Sequence, residues 1–204
     1  IAVLDTEQNE ALDEDSPLRS DPRSGGPYVW GKLESERMAR EMGQESGLPV
    51  KVVRPGAIVD FEEFEPPGRL GRRIGSLFVA IGDRDENLDI TSLELISRIL
   101  TQYVTRFEEM PTPINVIEPD PPTRGELIDR LKERDPSVAV VRIPRSVFLF
   151  LARTTLTAQK VLRPRHQPVD IAAAFASYDY DTERLEAILQ TDEGKLSDKP
   201  SCAQ

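Results

Sequence analysis

The 204-residue sequence has few of the residues on which disulfides and metal sites depend. Its single cysteine, Cys202, lies in a polar tail, and its single histidine, His166, lies in the polar segment Arg-Pro-Arg-His-Gln-Pro. An internal disulfide is therefore excluded, and we expect neither a metal site nor a catalytic histidine. This cysteine usage fits a reducing, cytoplasmic compartment.

Long apolar runs and an excess of positive charge are also missing. The longest apolar run, residues 147–152, is followed by Arg153 and is far shorter than the ~20 residues of a membrane-spanning helix. We interpret this run as a buried helix face. The net charge of −10 disfavours nucleic acid as a general partner, because phosphate binding needs a basic face.

One segment departs from the acidic character of the chain. Between residues 142 and 166 there are six basic residues and no acidic residue. A solvated basic edge is the simplest interpretation, so no membrane partner is expected. A docking surface for an anionic substrate or for a membrane surface is the alternative. The basic residues are Arg142, Arg145, Arg153, Lys160, Arg163 and Arg165.

Apolar periodicity, caps and turn residues predict a chain in which helices and strands alternate, an α/β fold. A strand over Ile1–Leu4 precedes a long acidic loop. A helix over residues 28–45 follows and stops at Gly47, and a strand over Val50–Arg54 ends at Pro55 and Gly56. Further helices are predicted over residues 91–107, 123–134, 146–162 and 182–189, strands over residues 114–117 and 138–143, a strand or short helix over residues 77–81, and a disordered tail from Thr191.

Tyr28 and Lys32 are four residues apart at the start of a predicted helix, so both side chains can point into one cleft. A phenol with a pKa near 10 is a poor base at neutral pH, and lowering that pKa to ~7 requires about 4 kcal/mol of preferential phenolate stabilisation. A nearby lysine supplies part of it through its charge. Such a tyrosine can exchange a proton with an alcohol or a ketone. A packed tyrosine beside a solvated lysine is the alternative.

The residues around this pair carry a family resemblance. Residues 28–59 read YVWGKLESERMAREMGQESGLPVKVVRPGAIV and resemble the extended short-chain dehydrogenases/reductases of the epimerase/dehydratase type. That family shows Tyr-x-x-x-Lys, a Glu shortly after, Gly-Leu-Pro, a strand and Arg-Pro-Gly. Weaker resemblances cover Ile81–Asp83, residues 114–131 and Tyr180–Leu185.

The resemblance implies the C-terminal part of a Rossmann-like doubly wound parallel sheet together with a small α/β substrate-binding lobe. It implies a Rossmann-side segment over residues 1–59, a mixed segment with the substrate lobe over residues 60–190, and a tail over residues 191–204. Tyr28 would be the general acid/base, and Lys32 would hold the nicotinamide ribose of NAD or NADP. The turn Arg54-Pro55-Gly56-Ala57 would lie against the nicotinamide carboxamide. Many relatives also form a dimer through the helix that carries the pair.

Two parts of the family pattern are missing. No glycine triplet follows a strand in the spacing that seats a dinucleotide pyrophosphate at a helix N-terminus. The catalytic serine of the family would immediately precede Ile1. We therefore expect a longer protein whose preceding half completes the site, and an inactive chain without it. Leu88–Ser92 keeps at most one acid of the family's His-Val-Asp-Asp, and Arg84 stands where glycine is common.

Two functions remain open. The first is an NAD(P)-dependent oxidoreductase, epimerase or dehydratase that acts on a small carbonyl or alcohol, such as a nucleotide-sugar. The second is a non-catalytic NAD(P)-binding or redox-sensing module of the same fold. For the first function Arg69, Arg72 and Arg73 are candidate contacts to an anionic substrate; solvated surface arginines are the alternative.

Overall fold

The computed structural model describes residues 1–5, 11–20, 25–162, 175 and 178–197, with the backbone alone over 155–162 and 192–197. His166 and Cys202 lie outside these residues. The helices are α1 Gly26–Ser46, α2 Leu93–Thr105, α3 Arg124–Arg134, α4 Arg145–Leu162 and α5 Glu183–Ser197. The strands are β1 Ala11–Leu12, β2 Val53–Pro55, β3 Ala57–Val59, β4 Gly71–Ile74, β5 Leu77–Ile81, β6 Ile90–Ser92, β7 Ile114–Val116, β8 Ala139–Ile143 and β9 Asp179–Tyr180.

The strand pairing of the described residues is mostly parallel, as an α/β fold requires. Parallel pairs join β1 to β9, β2 to β7, β3 to β6 and β5 to β8. The one antiparallel pair is the hairpin of β4 and β5, which turns at Gly75 with a φ of 62°. The predicted α/β class is therefore confirmed.

Two apolar clusters form the core and meet at the short β2–β3 segment. One cluster joins β3, β5, β6 and α3 through Val59, Phe78 and Leu127. The other joins α2, β7 and α5, with Val53 of β2 packed against it. Only Gly56 separates β2 from β3, so this glycine lies between the two clusters. The predicted segment boundaries at residues 59 and 190 stay a prediction.

Local end signals in the sequence predicted the helices well. Helix α1 ends at Gly47 in the left-handed conformation, and the amide of Leu48 donates to the Gly43 carbonyl. Helix α2 is capped by the Ser92 side chain. Helix α3 begins with the predicted capping box between Thr123 and Glu126.

Three predictions need correction. Ile1–Leu4 is not a strand: it forms a tight turn in which the Leu4 amide donates to the Ile1 carbonyl, and only a single bridge joins Leu4 to Leu18. Helix α5 continues to Ser197, so a disordered tail from Thr191 is wrong as far as that residue. The run over residues 147–152 is helical, but Val147, Phe150 and Leu151 are exposed rather than buried.

Candidate functional site

Tyr28 and Lys32 lie together on the exposed side of α1. The Lys32 Nζ is 5.7 Å from the centroid of the Tyr28 ring, and Tyr28 is 69% exposed. The helix buries only Gly26, Leu33 and Gly43. The structure therefore brings the predicted pair together and leaves both side chains open to a binding partner.

Glu36 lies one turn beyond Lys32 and ties α1 to β2. Its carboxylate accepts two hydrogen bonds from Arg54, at 2.7 Å from Nη2 and 3.1 Å from Nε, and both side chains are buried. Burial alone would raise the pKa of Glu36, but the hydrogen bonds and charge of Arg54, helped by Arg40, hold that pKa below its usual value. The Arg54 side chain is therefore hydrogen-bonded to the helix.

The turn after β2 is held by the buried Thr91. The Gly56 amide donates to the Thr91 Oγ1 at 2.7 Å and to the Val116 carbonyl at 3.0 Å. The Thr91 hydroxyl, fully buried, donates in turn to the same Val116 carbonyl at 2.5 Å. A Cβ at Gly56 would lie 3.2 Å from the Asp89 carbonyl and from the Thr91 Oγ1, so the close approach favours glycine.

The first residue of the chain lies beside this turn. The amino nitrogen of Ile1 donates to the Pro55 carbonyl at 3.0 Å. The charges of Arg54, Glu36, Arg69 and Lys32 all act on this nitrogen. Lys32, the turn and Arg69 are therefore close enough around Ile1 to interact electrostatically.

The three arginines predicted to contact substrate do not form one cluster. Arg69 lies 3.6 Å from the carboxylate of Asp89, whose backbone contacts the Gly56 position. Arg73 instead pairs with Asp135 at 2.5 Å, and Arg72 is exposed. Successive residues of a strand face opposite sides, so Arg72 and Arg73 diverge. Of the three, Arg69 has the position closest to the turn.

Asp89 is a buried carboxylate beside the candidate site. One of its oxygens has no hydrogen-bond partner, and the residue is 5% exposed. Burial raises its pKa, although the charge of Arg69 opposes this shift. Burial also raises the pKa of Tyr180, and the charge of Asp89 adds to that increase. The sequence showed Asp89 as the one acid of Leu88–Ser92 but not its burial, because no local pattern shows that a segment before a strand is buried.

The described part of the chain contains no group of three or more metal-ligating side chains. None of the helices in the described residues is long and apolar enough to cross a membrane.

Comparisons with known proteins bear on this geometry. Residues 2–83 match the family model of NAD-binding domains described as "Male sterility protein". One similar solved structure is TunA, an NAD-dependent NDP-hexosamine 5,6-dehydratase of tunicamycin biosynthesis, with 21% identity and a TM-score of 0.51. Another is the terminal R domain of the myxalamid PKS-NRPS pathway, with 18% identity and a TM-score of 0.56. Residues 2–83 are therefore similar to NAD-binding domains, and the likeness to the two solved structures shows a common fold.

The coverage and identity of each match limit what the match shows about this chain. The match to TunA covers 94% of this chain and 53% of TunA. The match to the R domain covers 93% of this chain and 50% of that domain. The chain thus spans about half the length of these structures, and at such identities the likeness shows the fold alone. No curated protein is significantly similar to the sequence.

The site fits one end of a dinucleotide. A phenol and an ammonium group share an open helix face, and hydroxyl groups such as those of a ribose can bind to both. The turn at Pro55 and Gly56 lies near Lys32, since both are close to Ile1, and the Gly56 amide is already hydrogen-bonded to Thr91. The pyrophosphate end has no matching glycine-rich turn in this sequence.

Proposed function

We propose that the chain carries the tyrosine–lysine half of an NAD(P)-dependent oxidoreductase or dehydratase site for a small-molecule carbonyl or alcohol. The observation that carries the proposal is the shared exposed face of Tyr28 and Lys32, fixed to the turn after β2 by Glu36 and Arg54. The match of residues 2–83 to NAD-binding domains supports it.

Each residue has a separate role in this proposal. Tyr28 takes the proton from a substrate alcohol, or returns it to a ketone, through its hydroxyl. Lys32 stabilises the phenolate by its charge and donates hydrogen bonds to the nicotinamide ribose. The backbone of Pro55, Gly56 and Ala57 supports the nicotinamide ring. NAD(P), when bound, accepts or supplies the hydride.

The rest of the protein's activity is also part of the proposal. A preceding segment would hold the pyrophosphate, and the exposed Trp30, Met38 and Met42 of α1 would support a homodimer through this helix. A nucleotide-sugar is the proposed substrate class, since one structural neighbour is an NDP-hexosamine dehydratase. Arg69 is the proposed contact for its anionic part. A cytoplasmic location fits the single cysteine.

The decisive experiment uses the longer protein with a preceding NAD-binding segment and follows NAD(P)H absorbance with nucleotide-sugars. Tyr28→Phe should lower kcat by at least about 100-fold, because proton transfer by a positioned side chain contributes about 10²–10⁴-fold. Arg37→Gln, on the same helix and paired only with surface glutamates, is the matched control and should keep full activity. Unchanged turnover in Tyr28→Phe would refute the role of the tyrosine.

A second measurement separates the enzyme from a non-catalytic module. Cofactor binding without turnover of any carbonyl or alcohol would favour the binding or redox-sensing alternative. In a titration of the 204-residue chain with NADH, nicotinamide fluorescence should not saturate at micromolar concentration. Tight binding to this chain would contradict the assignment of the pyrophosphate site to a preceding segment.

A further inference from the structure

Helix α4 exposes an apolar face in the part of the chain that the structure describes. Val147, Phe150 and Leu151 occupy positions i, i+3 and i+4 and therefore share one side of the helix. They are 47%, 67% and 49% exposed. Phe148 and Ala152 face the other way: Ala152 is buried, and the Phe148 ring packs edge-on against Phe175 at 4.8 Å. The helix is thus anchored on one side and apolar on the other.

Exposed basic residues lie on this helix and shortly before it. At 100° per residue, Arg153 lies beside Phe150 on the helix surface, and it is exposed, as is Arg142 at the end of β8. Arg145, in contrast, turns inward to Glu86 at 2.9 Å. The sequence from residue 142 to residue 166 contains no acid at all, although the whole chain has ten more acidic than basic residues.

We propose that the exposed face of α4 docks on an anionic lipid bilayer. Phenylalanine and leucine side chains would enter the interface between headgroups and acyl chains, while the flanking arginines contact lipid phosphates. The cytoplasmic leaflet carries negative charge, which attracts basic segments and repels the acidic remainder of the chain. The helix would lie on the membrane and not cross it. The alternative of a membrane docking surface, left open by the sequence, is the one that the exposed side chains favour.

Helix α2 also exposes apolar side chains, but it lacks the positive charge that would attract an anionic membrane. On α2, Leu100 and Val104 are 47% and 83% exposed and lie four residues apart. Residues 93–109 contain three acids and two bases, so this stripe has no excess of positive charge. Apolar exposure is shared by the two helices, but electrostatic attraction to an anionic surface is available only to α4.

The test is co-sedimentation of the 204-residue chain with vesicles of phosphatidylcholine alone or mixed with phosphatidylglycerol. The chain should bind the mixed vesicles, and binding should weaken as salt is raised. Phe150→Glu/Leu151→Glu should lower the partition coefficient at least about tenfold, because two apolar side chains no longer enter the interface. Arg142→Gln/Arg153→Gln should lower it about fivefold for each lost cation. Leu100→Glu/Val104→Glu, which adds the same two negative charges on α2, is the matched control and should keep most of the binding.

Circular dichroism of each variant verifies that a loss of binding does not come from unfolding. Equal binding to both vesicle types, or equal binding by the α4 and α2 variants, would overturn the proposal. So would an absence of vesicle binding together with a dimer that Phe150→Glu/Leu151→Glu dissociates, since the face would then belong to a second copy of the chain.

Discussion

Replacing Glu36 by glutamine should strongly destabilise the protein, because it leaves the buried Arg54 guanidinium without a counter-charge. One nitrogen of Arg54 already lacks a hydrogen-bond partner, and its other two nitrogens donate to Glu36. The Glu36 carboxylate therefore neutralises the charge of Arg54. Removing one partner of a buried ion pair costs about 3–5 kcal/mol. We expect a loss of about 3 kcal/mol in the free energy of unfolding.

The reverse substitution should cost less. In Arg54→Met the Glu36 carboxylate keeps its second partner, Arg40, at 2.9 Å, and Arg40 is partly exposed. We therefore expect a loss of about 1–2 kcal/mol, and the double variant Glu36→Leu/Arg54→Met should recover most of the stability, because apolar replacement of a buried pair is often neutral. Glu36→Gln should therefore cost more stability than Arg54→Met, because Glu36 has a second arginine partner and Arg54 is neutralised by Glu36.

Urea unfolding followed by the fluorescence of Trp30, the only tryptophan, measures these differences from α1 itself. Arg37→Gln, which removes surface ion pairs on the same helix, should leave the midpoint unchanged. The pKa of Glu36 is lowered in the folded state, so its stabilisation is present above its ordinary value of 4.5 and is lost as the pH falls through the lowered pKa. A larger loss for Arg54→Met than for Glu36→Gln would refute the reasoning.

Two further predictions concern the residues behind the turn. Thr91→Val should lower the free energy of unfolding by about 1–3 kcal/mol, because the Gly56 amide loses one of its two acceptors, whereas Thr91→Ser should restore most of it in the same urea experiment. Burial raises the pKa of Asp89, so its ionised form opposes folding once the pH exceeds its ordinary value of 3.8. Asp89→Asn should therefore be at least as stable as the parent chain at pH 7, and a clear loss there would show that Arg69 matters more than burial.

Short-range sequence signals account for what could be predicted. The end of α1 at Gly47 and the capping box of Thr123 and Glu126 are encoded within a few residues, and both are found as expected. The proximity of Tyr28 and Lys32 likewise follows from helical spacing alone. These features need no knowledge of the rest of the fold.

Long-range contacts account for the features that could not be predicted from the sequence. Glu36 meets Arg54 across 18 residues and Gly56 meets Thr91 across 35, so neither pair has a local pattern. Ile1–Leu4 has strand composition but becomes buried in a turn, because no neighbouring strand pairs with it in the described residues. The apolar run of α4 predicts a buried helix face, but the composition of the run does not show whether other parts of the chain cover that face.

The long-range pair of Glu36 and Arg54 also links the stability of the chain to the geometry of the candidate site. Helix α1 buries little apolar surface in this chain, with Leu33 as its one large buried apolar side chain. Its orientation therefore depends on the Glu36–Arg54 pair more than a helix with a full apolar face would. Because Arg54 also opens the turn that ends at Ala57, this pair sets the position of Tyr28 and Lys32 relative to the turn. Breaking it should displace the pair from the turn as well as lower stability, so a loss of activity in Glu36→Gln of the longer protein should exceed that in an equally destabilised Thr91→Val.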